Sequence, residues 1–225
     1  MNFIIFINDD ILNAIRQIPD ETIDIVVADY PFKIRGDKKD YVEFIRRTGD
    51  EFFRVLKDGG NLIIINNPAN MFYTMEHFQQ FLFRSMIPLK RKHRFCPNKM
   101  FCFRYNLLLY LCKGHKDNWN YVKEDDYWNI EYSTGYNGHP SGLSTKLTDR
   151  ILYYVRRKGY TVLDAFAGSG SFLLSSVKYG MNYIGVEIEQ KYYEILRNRI
   201  DGVPFGYIIY NNPQNIQKIL IGKKS

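Results

Sequence analysis

Thr161-Val-Leu-Asp-Ala-Phe-Ala-Gly-Ser-Gly-Ser171 runs from a β-branched stretch into an acid and then into a glycine loop. That order reads as strand, turn and helix. Gly168 and Gly170 let the backbone approach a ligand, and a helix starting near Ser171 offers N–H groups to something polar. A small-molecule cofactor fits such a turn; a glycine-rich βα turn with no ligand is the competing reading. No Gly-Lys-Ser/Thr ending is present, which argues against a phosphate-cradling loop. Leu173 stands where the dinucleotide fingerprint has its third glycine.

Working outward, the same alternation recurs. Upstream, Phe3 to Ile7 is a strand candidate, with Asn8-Asp-Asp10 as turn and cap for a helix of Ile11 to Gln17, broken by Pro19-Asp20. Ile23 to Ala28 is a nearly continuous β-branched run of the kind buried on both faces of a parallel sheet, and it delivers Asp29-Tyr-Pro-Phe32 at its carboxyl end. After a charged loop from Lys33 to Lys39, Tyr41 to Leu56 has helical spacing, with Lys57-Asp-Gly-Gly60 as its stop. Asn61 to Ile65 is a strand, and Met71 to Arg84 reads as a long helix closed by Pro88. Lys90 to Phe95 and Asn106 to Cys112 read as two strands joined by a loop, hence an antiparallel pair at a sheet edge. Gly114 to Gly138 has no clear period and reads as loop. Leu147 to Lys158 is expected to be helical. Downstream of the opening stretch come a helix of Ser171 to Tyr179 stopped by Gly180, a strand of Tyr183 to Val186 and a helix of Gln190 to Ile200. The tail from Gly222 reads as frayed. Strands alternating with helices predict an α/β fold: a mostly parallel sheet, an antiparallel edge hairpin, and helices on both faces.

The totals agree. A chain of 225 residues that is 45% hydrophobic supports one main domain over 1–225. No run is long enough for a membrane span, and Met1 to Ile7 lacks the basic leader of a signal peptide, so a cytoplasmic protein is expected. Three cysteines agree with a reducing compartment. The net charge of +7 is concentrated. Residues 84–116 hold nine Lys/Arg and no acid, leaving 22 basic against 24 acidic residues elsewhere. Lys90, Arg91, Lys92, Arg94, Lys99 and Arg104 alternate there with Phe95, Phe101, Phe103 and Tyr105, as on a nucleic-acid surface; a solvated face is the plainer alternative.

Parallel sheets of this kind bind ligands at the carboxyl ends of their strands. Four acids fall on that rim: Asp10, Asp29, Asp164 and Glu187. Glu187 lies 17 residues beyond Gly170, close to the spacing at which an acid grips ribose hydroxyls, which points to a ligand with an adenosine-like half. Each acid taken alone reads more readily as a helix cap or a solvated turn than as a ligand contact; their convergence is the argument.

With these residues in place, the chain resembles the S-adenosylmethionine-dependent DNA amino-methyltransferases that modify adenine N6 or cytosine N4. Members of one circular order carry an Asp/Ser-Pro-Pro-Tyr element before a Phe-x-Gly-x-Gly element, with the target-recognition region between. Asp29-Tyr-Pro-Phe32 precedes Phe166-Ala-Gly-Ser-Gly170 in that order. Asp10-Ile-Leu, Ile18-Pro-Asp20, Arg54 to Gly60, His139-Pro-Ser141 and Ile184-Gly-Val-Glu-Ile188 leading into Tyr192-Tyr193 are similar too. The resemblance implies a Rossmann-like methyltransferase fold with a small recognition region within about 88–138. It implies that Asp29, Tyr30, Pro31 and Phe32 form the catalytic element. The Asp29 carboxylate and the Tyr30 carbonyl would accept the amine hydrogens while Phe32 stacks on a flipped base. It implies S-adenosylmethionine as cofactor. Asp164, Gly168, Gly170 and Ser171 would hold its amino-acid half, Glu187 the ribose, Asp10 the adenine, and Phe166 would line the pocket near the sulfonium. Tyr30 replaces the family's first proline and Phe32 its tyrosine, and Ser141-Gly-Leu-Ser144 follows His139-Pro140 where the family continues Thr-Gln-Lys-Pro.

Double-stranded DNA is the implied partner, with adenine N6 favoured because an acid at position 29 is commoner in the adenine branch. Cytosine N4 is the alternative, and a DNA-binding pseudoenzyme is the alternative of another class. A homodimer and a cognate restriction endonuclease are possible companions. One further constellation, His93-x2-Cys96 and Cys112-x2-His115, would converge if those segments paired antiparallel, and zinc could bind there; ordinary packing of a buried hairpin is the alternative, and no metal is assigned.

Overall fold

In the computed structural model of the chain, β2 (Ile23–Asp29) lies beside β7 (Thr161–Asp164), with Val27 opposite Asp164. The structure describes residues 2–31, 36–96, 101–114, 120, 123–128, 130–132, 142–200, 207–210 and 213–221. The other strands are β1 (Phe3–Ile7), β3 (Leu56–Asn66), β4 (Leu82–Phe95), β5 (Phe103–Cys112), β6 (Glu131–Tyr132), β8 (Asn182–Val186) and β9 (Tyr207–Tyr210). The helices are α1 (Ile11–Ala14, continued by a 3₁₀ turn to Gln17), α2 (Lys38–Val55), α3 (Pro68–His77), α4 (Thr145–Tyr153), α5 (Ser171–Lys178), α6 (Gln190–Asn198) and α7 (Pro213–Ile221).

The nine strands form one sheet in the order β6-β4-β5-β3-β2-β7-β8-β1-β9. Among the described residues only β3–β5 and β4–β5 pair antiparallel. Alternate side chains of the central strands point to opposite faces and build two cores. Ile5, Val26, Ile64 and Leu163 share one core with Ile11, Ile45, Met71 and Ile216, from α1, α2, α3 and α7. Phe6, Val27, Ile63 and Val162 share the other with Ile151, Phe172 and Leu196, from α4, α5 and α6. The sheet is therefore covered on both faces. No helix among the described residues is long and apolar enough to cross a membrane.

Several local expectations need correction. The expected helix of Met71 to Arg84 ends at His77, and the chain from Leu82 is strand. Asn67 caps α3 by accepting from Asn70 N, and the stacked rings of Phe78 and Phe81 turn the chain out of it. Leu82 to Leu89 then pair with β5, so cross-strand pairing outweighs a spacing that suits a helix equally well. Pro88 sits inside β4 and closes nothing: on its outer side β6 pairs only Lys90 and Arg91, so its missing N–H costs no ladder bond among the described residues. For the same reason the β4–β5 hairpin is not quite the edge; the two residues of β6 are.

Lys57 to Gly60 ends α2 as expected but lies within β3 as a bulge. Ile23 pairs Leu56 and Ile25 pairs Asn61, and Gly59 (φ 75°) and Gly60 exchange backbone bonds with Lys113. α4 stops at Tyr153 rather than Lys158. Asn120, distant in sequence, takes the carbonyls of Tyr153, Tyr154 and Arg156, a cap that no local pattern announces. β9 and α7 answer to no pattern singled out in the sequence; β9 forms by pairing parallel to β1. The zinc constellation does not converge. Cys112 pairs with Leu82 at the far end of β4, while Cys96 is disulfide-bonded to Cys102 across the hairpin. His115 and the tail from Gly222 lie outside the described residues.

Candidate active site

The chain leaves β2 toward β3 on one side and leaves β7 toward β8 on the other, so the winding reverses between β2 and β7. At such a switch point the loops splay apart and open a crevice at the carboxyl ends of the strands. The four rim acids stand on the four adjacent strands β2, β7, β8 and β1 in the order Asp29, Asp164, Glu187, Asp10. The fold thus brings to one edge of the sheet four residues that are spread over 178 positions of the chain, from 10 to 187 counted inclusively.

The glycine loop is stitched between its neighbours. Ala165 N donates to Val27 O, Ala167 N to Val186 O, and Gly170 N to Ala167 O. Gly168 (φ 51°) and Gly170 (φ 81°) both adopt the left-handed conformation that side chains disfavour. Gly168 N donates to Glu187 Oε2 at 2.8 Å, and Glu189 N to Oε1. Glu187 therefore ties the loop after β7 to the loop after β8, and burial raises its pKa despite these bonds. Asp164 is 2% exposed and accepts from the Tyr183 hydroxyl at 2.8 Å. Burial, reinforced by the nearby Glu187 charge and opposed by Tyr183 and the Phe166 N–H, pushes its carboxyl up to about 7. Asp10 is the N-cap of α1, accepting from Leu12 N. The Ser171 hydroxyl donates to Leu143 O, so what Ser171 turns toward the loop is the start of α5.

Opposite the glycine loop, Asp29 ends β2 and Tyr30 N donates to Ile65 O. The Tyr30 ring is 1% exposed and turned away from the crevice. Its centroid is 5.1 Å from that of Phe166 and 6.1 Å from that of Phe44, and its hydroxyl is 2.5 Å from Thr48 Oγ1. Phe166 thus packs between the two loops. The Pro31 carbonyl accepts from the Tyr41 hydroxyl at 3.0 Å, and that hydroxyl accepts from Asn66 Nδ2 at 3.2 Å. Phe32 lies outside the described residues.

Sequence reading missed Thr48, Tyr41, Asn66 and Tyr183, which act from beneath the loops; helical or strand spacing marks them only as core. It also missed Ser169, whose buried hydroxyl has no hydrogen-bond partner although it sits inside the glycine loop. An orphaned donor beside two left-handed glycines fits a polar ligand segment such as a carboxylate. A separate cavity of about 780 Å³ beside α4, lined by Lys123, Arg150 and Tyr153 among others, contains none of the rim acids.

Of the basic residues, Lys90 and Arg104 are exposed on the β4–β5 hairpin, and Arg91 donates to Asn106 Oδ1. The side chains of Lys92 and Arg94, and all of Lys99, lie outside what the structure describes.

A doubly wound sheet with a glycine loop opening a helix at the switch point, and a second polar loop on the adjoining strand, defines a Rossmann-like α/β protein. Residues 23–198 match the sequence pattern of the N6/N4 DNA methylases, and the chain belongs to that family. It is 29% identical over 238 residues to the type II methyltransferase M.BamHI of Bacillus amyloliquefaciens, covering 86% of this chain but only 56% of that longer protein. It is 25% identical over 243 residues to the DNA adenine methyltransferase YhdJ of Escherichia coli (strain K12), covering 87% and 82%. Among solved structures it shares its fold with a Thermus thermophilus protein described as a DNA modification methylase and crystallised with S-adenosyl-L-methionine (TM-score 0.71, 19% identity, 94% of this chain and 99% of that one). It shares it also with the cytosine-N4-specific PvuII DNA methyltransferase (TM-score 0.74, 14% identity, 98% and 92%).

Proposed function

We propose that the chain transfers a methyl group from S-adenosylmethionine to the exocyclic amine of a flipped base in double-stranded DNA, with adenine N6 the favoured target. The observation that carries the reading is the meeting of two loops at one switch point: Asp29-Tyr30-Pro31 on β2 and the Phe166–Ser171 loop after β7, joined through the Tyr30–Phe166 contact.

The cofactor supplies an electrophilic methyl group on a sulfonium. In this reading Asp164 and the Gly168–Ser171 loop hold its amino-acid half, the Ser169 hydroxyl adding a donor. Glu187 takes the ribose hydroxyls with the lone pairs left over from its backbone bonds, and Asp10 faces the adenine. Phe166 fills the floor between cofactor and target. The amine of an adenine is a poor nucleophile because its lone pair is delocalised into the ring. Asp29 and the Tyr30 carbonyl, by accepting its two hydrogens, localise that pair for in-line attack, and Phe32 stacks on the extruded base. An acid at position 29 is what favours adenine. The chain works as one domain over 1–225, with recognition carried within about 88–138 and Lys90, Arg91, Lys92, Arg94, Lys99 and Arg104 on the phosphates. A homodimer, a cognate restriction endonuclease and a cytoplasmic location are compatible with this reading.

The test is incubation with methyl-labelled cofactor and DNA followed by nucleoside analysis. N6-methyladenine is expected, and Asp29→Ala should lower turnover at least a hundredfold, about 3 kcal/mol of lost transition-state stabilisation. N4-methylcytosine would overturn the choice of base. Cofactor binding without turnover on any duplex would favour the pseudoenzyme.

A further inference from the structure

The β4–β5 hairpin runs past the carboxyl end of β3, with β6 pairing its first two residues there, Lys90 and Arg91. β3 ends its pairing with β5 at Asn66 opposite Leu107, yet β5 continues back to Phe103 and β4 forward to Phe95. The four residues 103–106 carry the hairpin roughly 14 Å past the carboxyl end of β3, at about 3.4 Å per residue. β4 runs parallel to β2 and β3, so the overhang is on the same edge as Asp29 and the glycine loop. Asn106 and its partner Leu89 are buried, Leu89 in a core with Trp128 and Ile130, but from Lys90 and Tyr105 outward the described side chains are exposed or only partly buried.

The side chains on this overhang are of two kinds. Lys90 and Arg104 are exposed cations on a hairpin whose own sequence has no acid; the neighbouring acid in the sheet is Glu131 of β6, in register with Lys90. Phe101 is 81% exposed and Tyr105, opposite Lys90, is 40% exposed. Phe101 is the most exposed large apolar side chain among the described residues. It stands next to Cys102, which faces Cys96 across the hairpin. An exposed phenylalanine on a basic arm that overhangs the edge carrying Asp29 is placed where a partner reaching Asp29 would meet it. Surrounding positive charge selects a polyanion, and the aromatic ring selects one with stacked bases.

We propose that Phe101 is a wedge that inserts into the base stack of bound double-stranded DNA. Insertion unstacks one step and bends or unwinds the duplex, offsetting part of the cost of extruding a base at the crevice. The cations beside it hold the phosphates and set affinity without inserting. The proposal rests on the DNA-methylase reading and assigns one residue a role that reading lacks.

Closed circular plasmid DNA offers many short sequences at once and makes the test independent of the target site and of methyl transfer. Phe101→Trp should show quenched emission when plasmid is added, read against the unsubstituted chain to subtract Trp119 and Trp128. Phe101→Ala should bind about tenfold more weakly, as loss of one stacking contact predicts, with an unchanged slope of log affinity on log salt. Relaxation of plasmid by a topoisomerase should leave unwinding with the original chain and none with Phe101→Ala. Phe101→Leu, which keeps an apolar wedge, should retain most of it. Emission of Phe101→Trp that plasmid leaves unchanged while the chain still binds would overturn the wedge alone. So would a Phe101→Ala chain that binds and unwinds normally but sediments as a smaller species, which would make the ring a contact between copies. Absence of plasmid binding at low salt by the unsubstituted chain would overturn the wedge and the DNA-methylase reading together.

Discussion

The hydroxyl of Tyr30 lies 2.5 Å from Oγ1 of Thr48, and the direction of that bond follows from proton counting. Thr48 Oγ1 is also 2.8 Å from Phe44 O and 2.9 Å from Ile45 O, so its single proton is used by the backbone of α2 and Tyr30 is the donor. Burial pushes the phenol far above its ordinary value, which keeps it a donor at any usable pH. The family's first proline stiffens this loop by fixing φ; here a buried side chain tied to α2 restrains the same backbone from below. Tyr30→Phe and Thr48→Val should each cost about 1 kcal/mol of stability, the net worth of a buried hydrogen bond. Both should lower kcat more than they raise KM, because the loop carrying Asp29 is less well held. The double substitution should cost little more than either single one, a coupling measurable by a double-mutant cycle.

Gly170 occupies a left-handed conformation, and a Cβ there would meet Leu196 Cδ1 at 2.5 Å. Gly159 is also left-handed, at φ 85°, with nothing within 4 Å of its Cβ position. Gly159→Ala should therefore cost only the backbone share, on the order of 1–2 kcal/mol. Gly170→Ala should cost that plus the displacement of Leu196 from its core. Thermal melts of the two variants isolate the second term; a Gly170→Ala chain no less stable than Gly159→Ala would contradict the geometry.

The raised pKa of Asp164 makes stability depend on pH with a definite sign. In the unfolded chain the carboxyl ionises near 4, in the folded chain at about 7. Below about pH 4 both states hold the proton and the group has no effect. Between there and about 7 only the unfolded state gains from ionising, so stability falls as pH rises, and the loss levels off above 7. Urea midpoints measured across this window should fall less for Asp164→Asn than for the original chain. Affinity for S-adenosylmethionine should move oppositely, rising through about pH 7 as Asp164 becomes able to pair with an ammonium, and that rise should vanish in Asp164→Asn.

Lys90 and Arg104 stand on the overhanging hairpin and should act through phosphates. Lys90→Glu and Arg104→Glu should weaken DNA binding at low salt and flatten its salt dependence, by roughly one unit of slope for each contact removed. Filter binding over a range of salt concentrations is sufficient, and unchanged affinity would remove the hairpin from the DNA surface.

Where apolar runs, glycines and acids alternate along the chain, sequence alone determined much of this protein. Ile23 to Ala28 and Thr161 to Asp164 are strands because β-branched runs of that length suit a sheet buried on both faces. Gly168 and Gly170 mark a tight turn because few other residues tolerate its backbone, and the order of Asp29-Tyr-Pro-Phe32 and Phe166 to Gly170 pointed to the family. These are local constraints, legible one segment at a time. Tertiary structure decided what depends on partners far along the chain. It turned Leu82 to Pro88 from helix into strand, because β5 pairs with it, and it ended α4 at Tyr153, because Asn120 caps it. It set β2 against β7 so that Asp29 and the glycine loop face one crevice, and it gave Tyr30 a role through Thr48 and Phe166 that no spacing encodes. A hydrogen bond or a packed ring across a hundred residues leaves no period in the sequence; only the fold brings its two ends together.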